Sequence, residues 1–241
     1  MKEELIDTNF MWVGIDRKGR KGGGVGFLIR KEIRVRVPKT PRAEGLMWIE
    51  VLDGEGGKIY LAVVYLAPSR FRAGAYPGKV KEINDDVFDE LNEDISVFKE
   101  YGKICIVGDF NCRIGEIESR ISREGEEGEE EEIVFRRRSE DKRVDKEGKQ
   151  LINFMNDQDL IVVNGIKSIA PATSIQCRGQ AVIDYIICDQ GLYNEVISFR
   201  TWQGEFSMVS DHRLLTLKVK GNLEKKKKKK KKKTSMMMLE L

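Results

Sequence analysis

The sequence has one histidine, five prolines and four cysteines among its 241 residues, and each scarcity excludes something. Cys105, Cys112, Cys177 and Cys188 form no CxxC pair, which removes the usual zinc and redox-pair spacings. Three of them lie in or beside apolar strand-like runs, where cysteine acts as a small hydrophobe. A reducing, intracellular setting fits this usage. Long apolar runs are missing too. The best, IYLAVVYLA at 59–67, is strand-sized, against the roughly 20 residues needed to cross a bilayer. The start, MKEELIDTNF, has no apolar core after its lysine and does not read as a signal peptide. No membrane partner is expected. Nucleotide fingerprints are absent as well: GRKGGGVG at 19–26 fits neither GxGxxG nor GxxxxGK[ST] and reads as a turn before a strand.

The net charge of +3 hides a split. Lys225 to Lys233 form an unbroken run of nine, and subtracting them leaves −6 on the rest of the chain. Overall charge is therefore no argument for nucleic acid. One basic cluster survives in DRKGRKGGG at 16–24, and its Arg17, Lys18, Arg20 and Lys21 are candidate substrate-binding residues. The tail KKKKKKKKKTSMMMLEL cannot pack a core. It reads first as a translated adenine-rich stretch without a selected role, with a nuclear signal or an anionic-surface tether as alternatives.

What the chain does have is an alternation of strand and helix patterns. Strands are expected at 23–29, 33–37, 46–51 and 58–66. Val80, Ile83, Val87, Leu91, Ile95 and Phe98 then recur at helical spacing. KICIVGDFN is the next strand. Residues 116–132 hold nine glutamates and are expected to be a solvated loop. Asp145 caps an expected helix carrying Leu151, Ile152, Phe154 and Met155, followed by strands at 160–164, 181–188, 195–202 and 213–220. One α/β domain over 1–220 and a disordered tail over 221–241 are expected.

Some polar residues do not belong in this apolar frame. Asp109 and Asn111 end a core strand in GDFN, which is either an Asx-type turn or a pair of ligands offered to a cleft. Asp184 interrupts AVIDYIIC, where an unpaired buried charge costs about 3–5 kcal/mol, so it needs a partner. His212, the only histidine, lies in VSDHRLL and is the natural one. Hard oxygen donors with a single imidazole suit Mg²⁺ and phosphate better than zinc.

In this order GDFN (108–111), IDYII (183–187) and SDHRLL (210–215) resemble the endonuclease/exonuclease/phosphatase superfamily. VVYLAPS (63–69) looks like its Tyr-x-x-Pro strand end, which brings in Tyr65. Residues 137–165 and 172–188 are similar, more specifically, to the endonuclease domains of non-LTR retrotransposons, relatives of apurinic/apyrimidinic endonucleases. The resemblance covers about 10–220. It implies an α/β four-layer sandwich, two face-packed mixed sheets flanked by helices, and a Mg²⁺- or Mn²⁺-dependent DNA-nicking phosphodiesterase. The expected setting is intracellular, nuclear if the chain is functional, with a monomer favoured over an oligomer.

By that resemblance Asp109 orients or deprotonates the attacking water and Asn111 positions it. His212, buttressed by Asp184, stabilises the phosphate oxygens, Tyr65 contacts the phosphate or leaving group, and Asp211, Asp109 and Asn111 hold the metal. The family's opening strand and principal metal-binding Glu have no match here. Ser174 and Ile175 stand where relatives often place an aromatic residue. Two alternatives stay open: a catalytically dead remnant that binds nucleic acid, and a phosphatase of this fold acting on small phosphate esters.

Overall fold

The computed structural model describes residues 9–16, 24–53, 56–68, 77–124, 129–175, 181–202, 210–221 and 223–226. Its elements run β1 (Phe10–Ile15), β2 (Val25–Arg30), β3 (Val35–Arg36), β4 (Leu46–Leu52), β5 (Lys58–Tyr65), α1 (Pro77–Phe98) and β6 (Lys103–Asp109). They continue through β7 (Ser119–Glu124), β8 (Glu130–Phe135), β9 (Arg138–Ser139), α2 (Lys146–Asp157), β10 (Leu160–Val162) and β11 (Ile169–Ala170). The last are β12 (Asp184–Asp189), α3 (Gln190–Tyr193), β13 (Val196–Thr201) and β14 (Leu215–Val219).

Six strands form a mixed sheet in the order β10-β12-β6-β5-β4-β3. Its one parallel pair is β5 and β6. A parallel pair needs a long crossover, and α1 supplies it. The helix begins at Pro77, whose missing N–H has no helical partner in the first turn anyway. Val87, Leu91 and Ile95 share one face of α1 and pack with Trp48, Tyr60, Ile104 and Ile106 of the sheet. Phe98 stacks on Tyr60 at 4.4 Å and meets Trp48 edge-on at 5.2 Å. Asp145 caps α2 by accepting from the Gly148 amide at 2.8 Å, and Leu151, Ile152, Phe154 and Met155 join the same core.

Strand alternation sends Cys105, Ile186 and Cys188 to the opposite face, with Val51 and Ile59. Phe199, Leu215, Leu217 and Val219 of the β13–β14 pair pack there. Helices, the six-stranded sheet and a second strand layer thus follow one another, a mixed α/β sandwich in keeping with the expected class. β2, paired with β1, lies against β4 and β5. Cys105, Cys112 and Cys188 are buried free thiols, and Cys177 lies outside the described residues.

Two expectations change. The segment 116–132 is not a loop: β7 and β8 pair in antiparallel register from Ser119↔Phe135 to Glu124↔Glu130. Ile121 is buried on this hairpin, and the Ser119 hydroxyl accepts from the Val162 amide at 3.2 Å. Backbone pairing and one inward face outweigh like-charge repulsion among glutamates that reach water. FMWVGI also forms a strand, β1, where none was expected.

Leu91→Ala should lower unfolding free energy by about 2–5 kcal/mol, because the site is fully enclosed. Val97→Ala on the exposed side of α1 should change it by less than about 0.5 kcal/mol. Urea denaturation of both variants checks the helix's orientation.

Candidate active site

The strand register makes the site. Tyr65 of β5 pairs with Asp109 of β6, and Asp109 pairs with Asp184 of β12. Residues paired across strands point to the same face. Two residues along, Val63, Val107 and Ile186 hold the same rows, and Val107 and Ile186 face the β13–β14 layer. Tyr65, Asp109 and Asp184 therefore form a polar row at one end of the sheet, on the side facing β13–β14. His212 arrives from the segment leading into β14.

Asp109 ends β6 only because Gly108 precedes it. A Cβ on Gly108 would lie 1.8 Å from the Val64 carbonyl oxygen, so no other residue fits this approach. The Asp109 carboxylate accepts from the Asn111 backbone amide at 2.9 Å and from Asn111 Nδ2 at 2.9 Å. Nδ2 also donates to the Leu66 carbonyl at 2.9 Å, and Asn111 adopts a left-handed backbone (φ 47°) that asparagine tolerates. The Asx turn is therefore present, closed by the Asn111 backbone amide on the Asp109 carboxylate, and because the Asn111 side chain uses only its NH₂ in these bonds, Oδ1 keeps its acceptor capacity.

His212 Nδ1 lies 3.0 Å from each Asp184 carboxylate oxygen. This hydrogen bond, against an opposing effect of burial, pushes the imidazole pKa up from 6.5 to about 9. Burial, reinforced by the negative Asp184, raises the Asp109 carboxyl to about 6, while Asn111 and His212 hold it back. Ligand atoms of Asp109, Asp184 and His212 all lie within 4.8 Å of one another. Asp184 is engaged with the imidazole, so Asp109 and the Asn111 amide oxygen are the donors left for a hard divalent cation, and their chemistry suits one. Asp211 adjoins His212 in sequence but is not part of that close cluster. Arg17, Lys18, Arg20 and Lys21 lie outside the described residues.

Several residues that fasten the site were not singled out from sequence. The buried Thr173 hydroxyl accepts from the amides of Ile183 and Asp184 at 3.0 and 3.1 Å. The Thr173 carbonyl accepts from the Arg213 amide at 2.7 Å, and Ile175 N–H donates to the Asp211 carbonyl at 3.0 Å. One short segment therefore holds both the Asp184 strand and the His212 loop. Arg113 and Asp141 form a two-pronged ion pair at 2.6 Å, and Asp141 also accepts from the Val182 amide at 3.1 Å. The only sequence signal for these was a scatter of polar residues near GDFN and IDYII.

A family model described as endonuclease–reverse transcriptase matches residues 59–216. No curated protein matches the sequence. Among solved structures, the chain is similar to the endonuclease domain of TRAS1, a telomere-specific non-LTR retrotransposon, at 15% identity and TM-score 0.58, covering 90% of this chain and 80% of that one. The AP endonuclease LMAP from Leishmania major matches at 12% identity and TM-score 0.61, over 87% and 70% of the two chains. The 3' phosphatase NExo from Neisseria, bound to a product DNA hairpin, matches at 16% identity and TM-score 0.56, over 88% and 80%. At these identities the likeness is one of fold.

His212 and Asp109 both have folded pKa values above their ordinary ones. Each stabilises the fold fully below its ordinary value, and that contribution is lost as pH rises through about 9 for His212 and about 6 for Asp109. NMR titration of the single histidine should have its midpoint near 9 and fall toward 6.5 in Asp184→Asn. In His212→Gln the stability loss between pH 6.5 and about 9 should flatten.

Proposed function

This chain belongs to the endonuclease–reverse transcriptase family, and from that premise we propose that it is a divalent-metal-dependent endonuclease that nicks DNA. The observation that carries the reading is the row Tyr65–Asp109–Asp184 with His212 bonded to its last member. Four polar side chains from separate segments converge at one sheet end, where a turn residue alone would have closed the strand.

Each group has a part in phosphodiester hydrolysis. A water oxygen bonds to phosphorus, the bond to the leaving sugar oxygen breaks, and that oxygen takes up a proton from solvent, matching the one the attacking water gives up to Asp109. Asp109, with a pKa of about 6, is ionised near neutral pH and accepts the water's proton, and Asn111 orients that water. His212 is protonated below about 9 and, with Nδ1 tied to Asp184, presents Nε2–H to the phosphate oxygens. Tyr65 lies alongside for the phosphate or leaving group. Asp109 and the Asn111 amide oxygen would hold a Mg²⁺ or Mn²⁺ ion, with Asp211 beside it, and the ion would supply Lewis-acid stabilisation of the phosphoryl oxygens. DNA is favoured as substrate by the family and by the fold shared with the TRAS1 domain. A phosphomonoester reading draws on the likeness to a 3' phosphatase.

Nicking of supercoiled plasmid should require Mg²⁺ and be blocked by EDTA. Asp109→Ala and His212→Ala should each lower the rate by about 10²-fold or more while leaving the thermal transition cooperative. Retained nicking in both would exclude this site. Preferential hydrolysis of p-nitrophenyl phosphate over plasmid would move the assignment to the phosphatase reading. Deleting 227–241 removes seven lysines and should shallow the salt dependence of DNA binding, by about 0.9 in log–log slope for each phosphate those lysines neutralise.

A further inference from the structure

The buried Asn164 side chain has a geometry that points past packing. β10 pairs with β12 only as far as Val162↔Ile187, with one more bond from Val163 N–H to the Ile186 carbonyl at 2.8 Å. The chain then turns away through Gly165 (φ 92°), where a Cβ would lie 2.4 Å from the Arg138 carbonyl oxygen. Beyond that turn, the β10 side of β12 has no strand to pair with among the described residues, at the positions that lead into the site.

Asn164 takes the strand's place. Its Nδ2 donates to the Asp184 carbonyl at 3.0 Å, and its Oδ1 accepts from the Ile186 amide at 2.9 Å. One primary amide thus completes two backbone bonds that a neighbouring strand would otherwise make. The residue is fully enclosed, and its own carbonyl accepts from Arg137 Nε at 3.1 Å. The Arg137 guanidinium lies over the Tyr185 ring, 5.9 Å from its centroid. Across the strand, Phe110 N–H donates to the Ile183 carbonyl at 2.9 Å, so β6 grips the other edge.

We propose that Asn164 is a positioning residue for the catalytic pair, holding the Asp184 backbone so that both carboxylate oxygens meet His212 Nδ1. The inference rests on the reading of Asp184 and His212 as a working pair. Asn164 touches neither the imidazole nor substrate and acts only through the strand that bears Asp184. The requirement is chemical: the position needs one donor and one acceptor in a fixed fork. Aspartate, nearly the same shape, keeps the acceptor and loses the donor. Leucine, of similar bulk, loses both.

The test uses the chain's single histidine. An imidazole Nδ1–H held by a carboxylate gives a proton resonance far downfield of the amides, and at low temperature this protein should show one such line, absent in His212→Gln. In Asn164→Leu the line should shift upfield or disappear, with Asn164→Asp as the deciding variant if leucine does not fold. Leu160→Ala, which opens a cavity in the same short strand without touching Asp184, should lower the melting temperature and keep the line. Nicking should fall in step with the line across these variants. An unchanged line in folded Asn164→Asp would overturn the proposal while leaving the Asp184–His212 pair intact. Loss of the line in Leu160→Ala as well would also overturn it, since any damage to the core would then suffice. Absence of the line from the unmodified protein would overturn the pair itself, and the proposal with it.

Discussion

A carboxylate at the end of a buried strand must be paired, and the contact of Asp184 with His212 meets that demand. The two residues come from different layers. Asp184 belongs to the six-stranded sheet, and His212 to the segment entering β14, which packs on the sheet's opposite face. Their contact therefore ties the two layers together at that end of the sheet. The register of β12 on β6 then brings Asp109 beside Asp184, and the register of β6 on β5 brings Tyr65 beside Asp109. A slip of one residue in either ladder would turn one member of the row to the helix side.

The same arrangement governs the charge. Two carboxylates in one row repel, which is part of why Asp109 titrates near 6. A protonated imidazole offsets one of them. With both acids ionised and His212 protonated, the triad retains one negative charge beside the Asn111 oxygen. Such a site favours a divalent cation, and with the cation present it would favour an anionic phosphate. The two shifts differ in origin: burial first, then the charge of Asp184, raises the acid, whereas the hydrogen bond to Asp184 raises the base.

The catalytic candidates were legible because they broke a pattern. Asp184 stands in an apolar octet, and Asp109 and Asn111 end an apolar run, so each was visible as an exception whose cost demanded a reason. The helices were legible for the opposite reason, their apolar spacing being regular and Asp145 standing at the expected cap. The β7–β8 hairpin was hidden because glutamates outnumber apolar residues there, although Ile121 and Ile133 pair directly across it. Asn164 was hidden differently. In LIVVN it reads as the last residue of a strand, whereas the strand ends at Val162 and the Asn164 side chain completes a ladder with a strand 20 residues away. Single-sequence patterns carry no information on such long-range satisfaction of backbone groups.

The described start of the lysine run, Lys225 and Lys226, has a definite place on the sheet. Leu223 bridges Asp53 and Lys225 bridges Ile33, so the chain enters the run beside the Leu52–Lys58 end of the sheet. The polar row lies at the other end of β5, seven residues from Lys58 to Tyr65, or about 23 Å at strand rise. That exceeds the Debye length of about 8 Å at physiological salt roughly threefold. From there Lys225 and Lys226 cannot tune Asp109 or His212. They can only add sequence-independent attraction for a polyanion long enough to touch both ends of the domain, which a duplex is and a small phosphate ester is not. On the proposed function, the polar row and these two lysines are thus separated along one strand, so a change in either can be read without confounding the other.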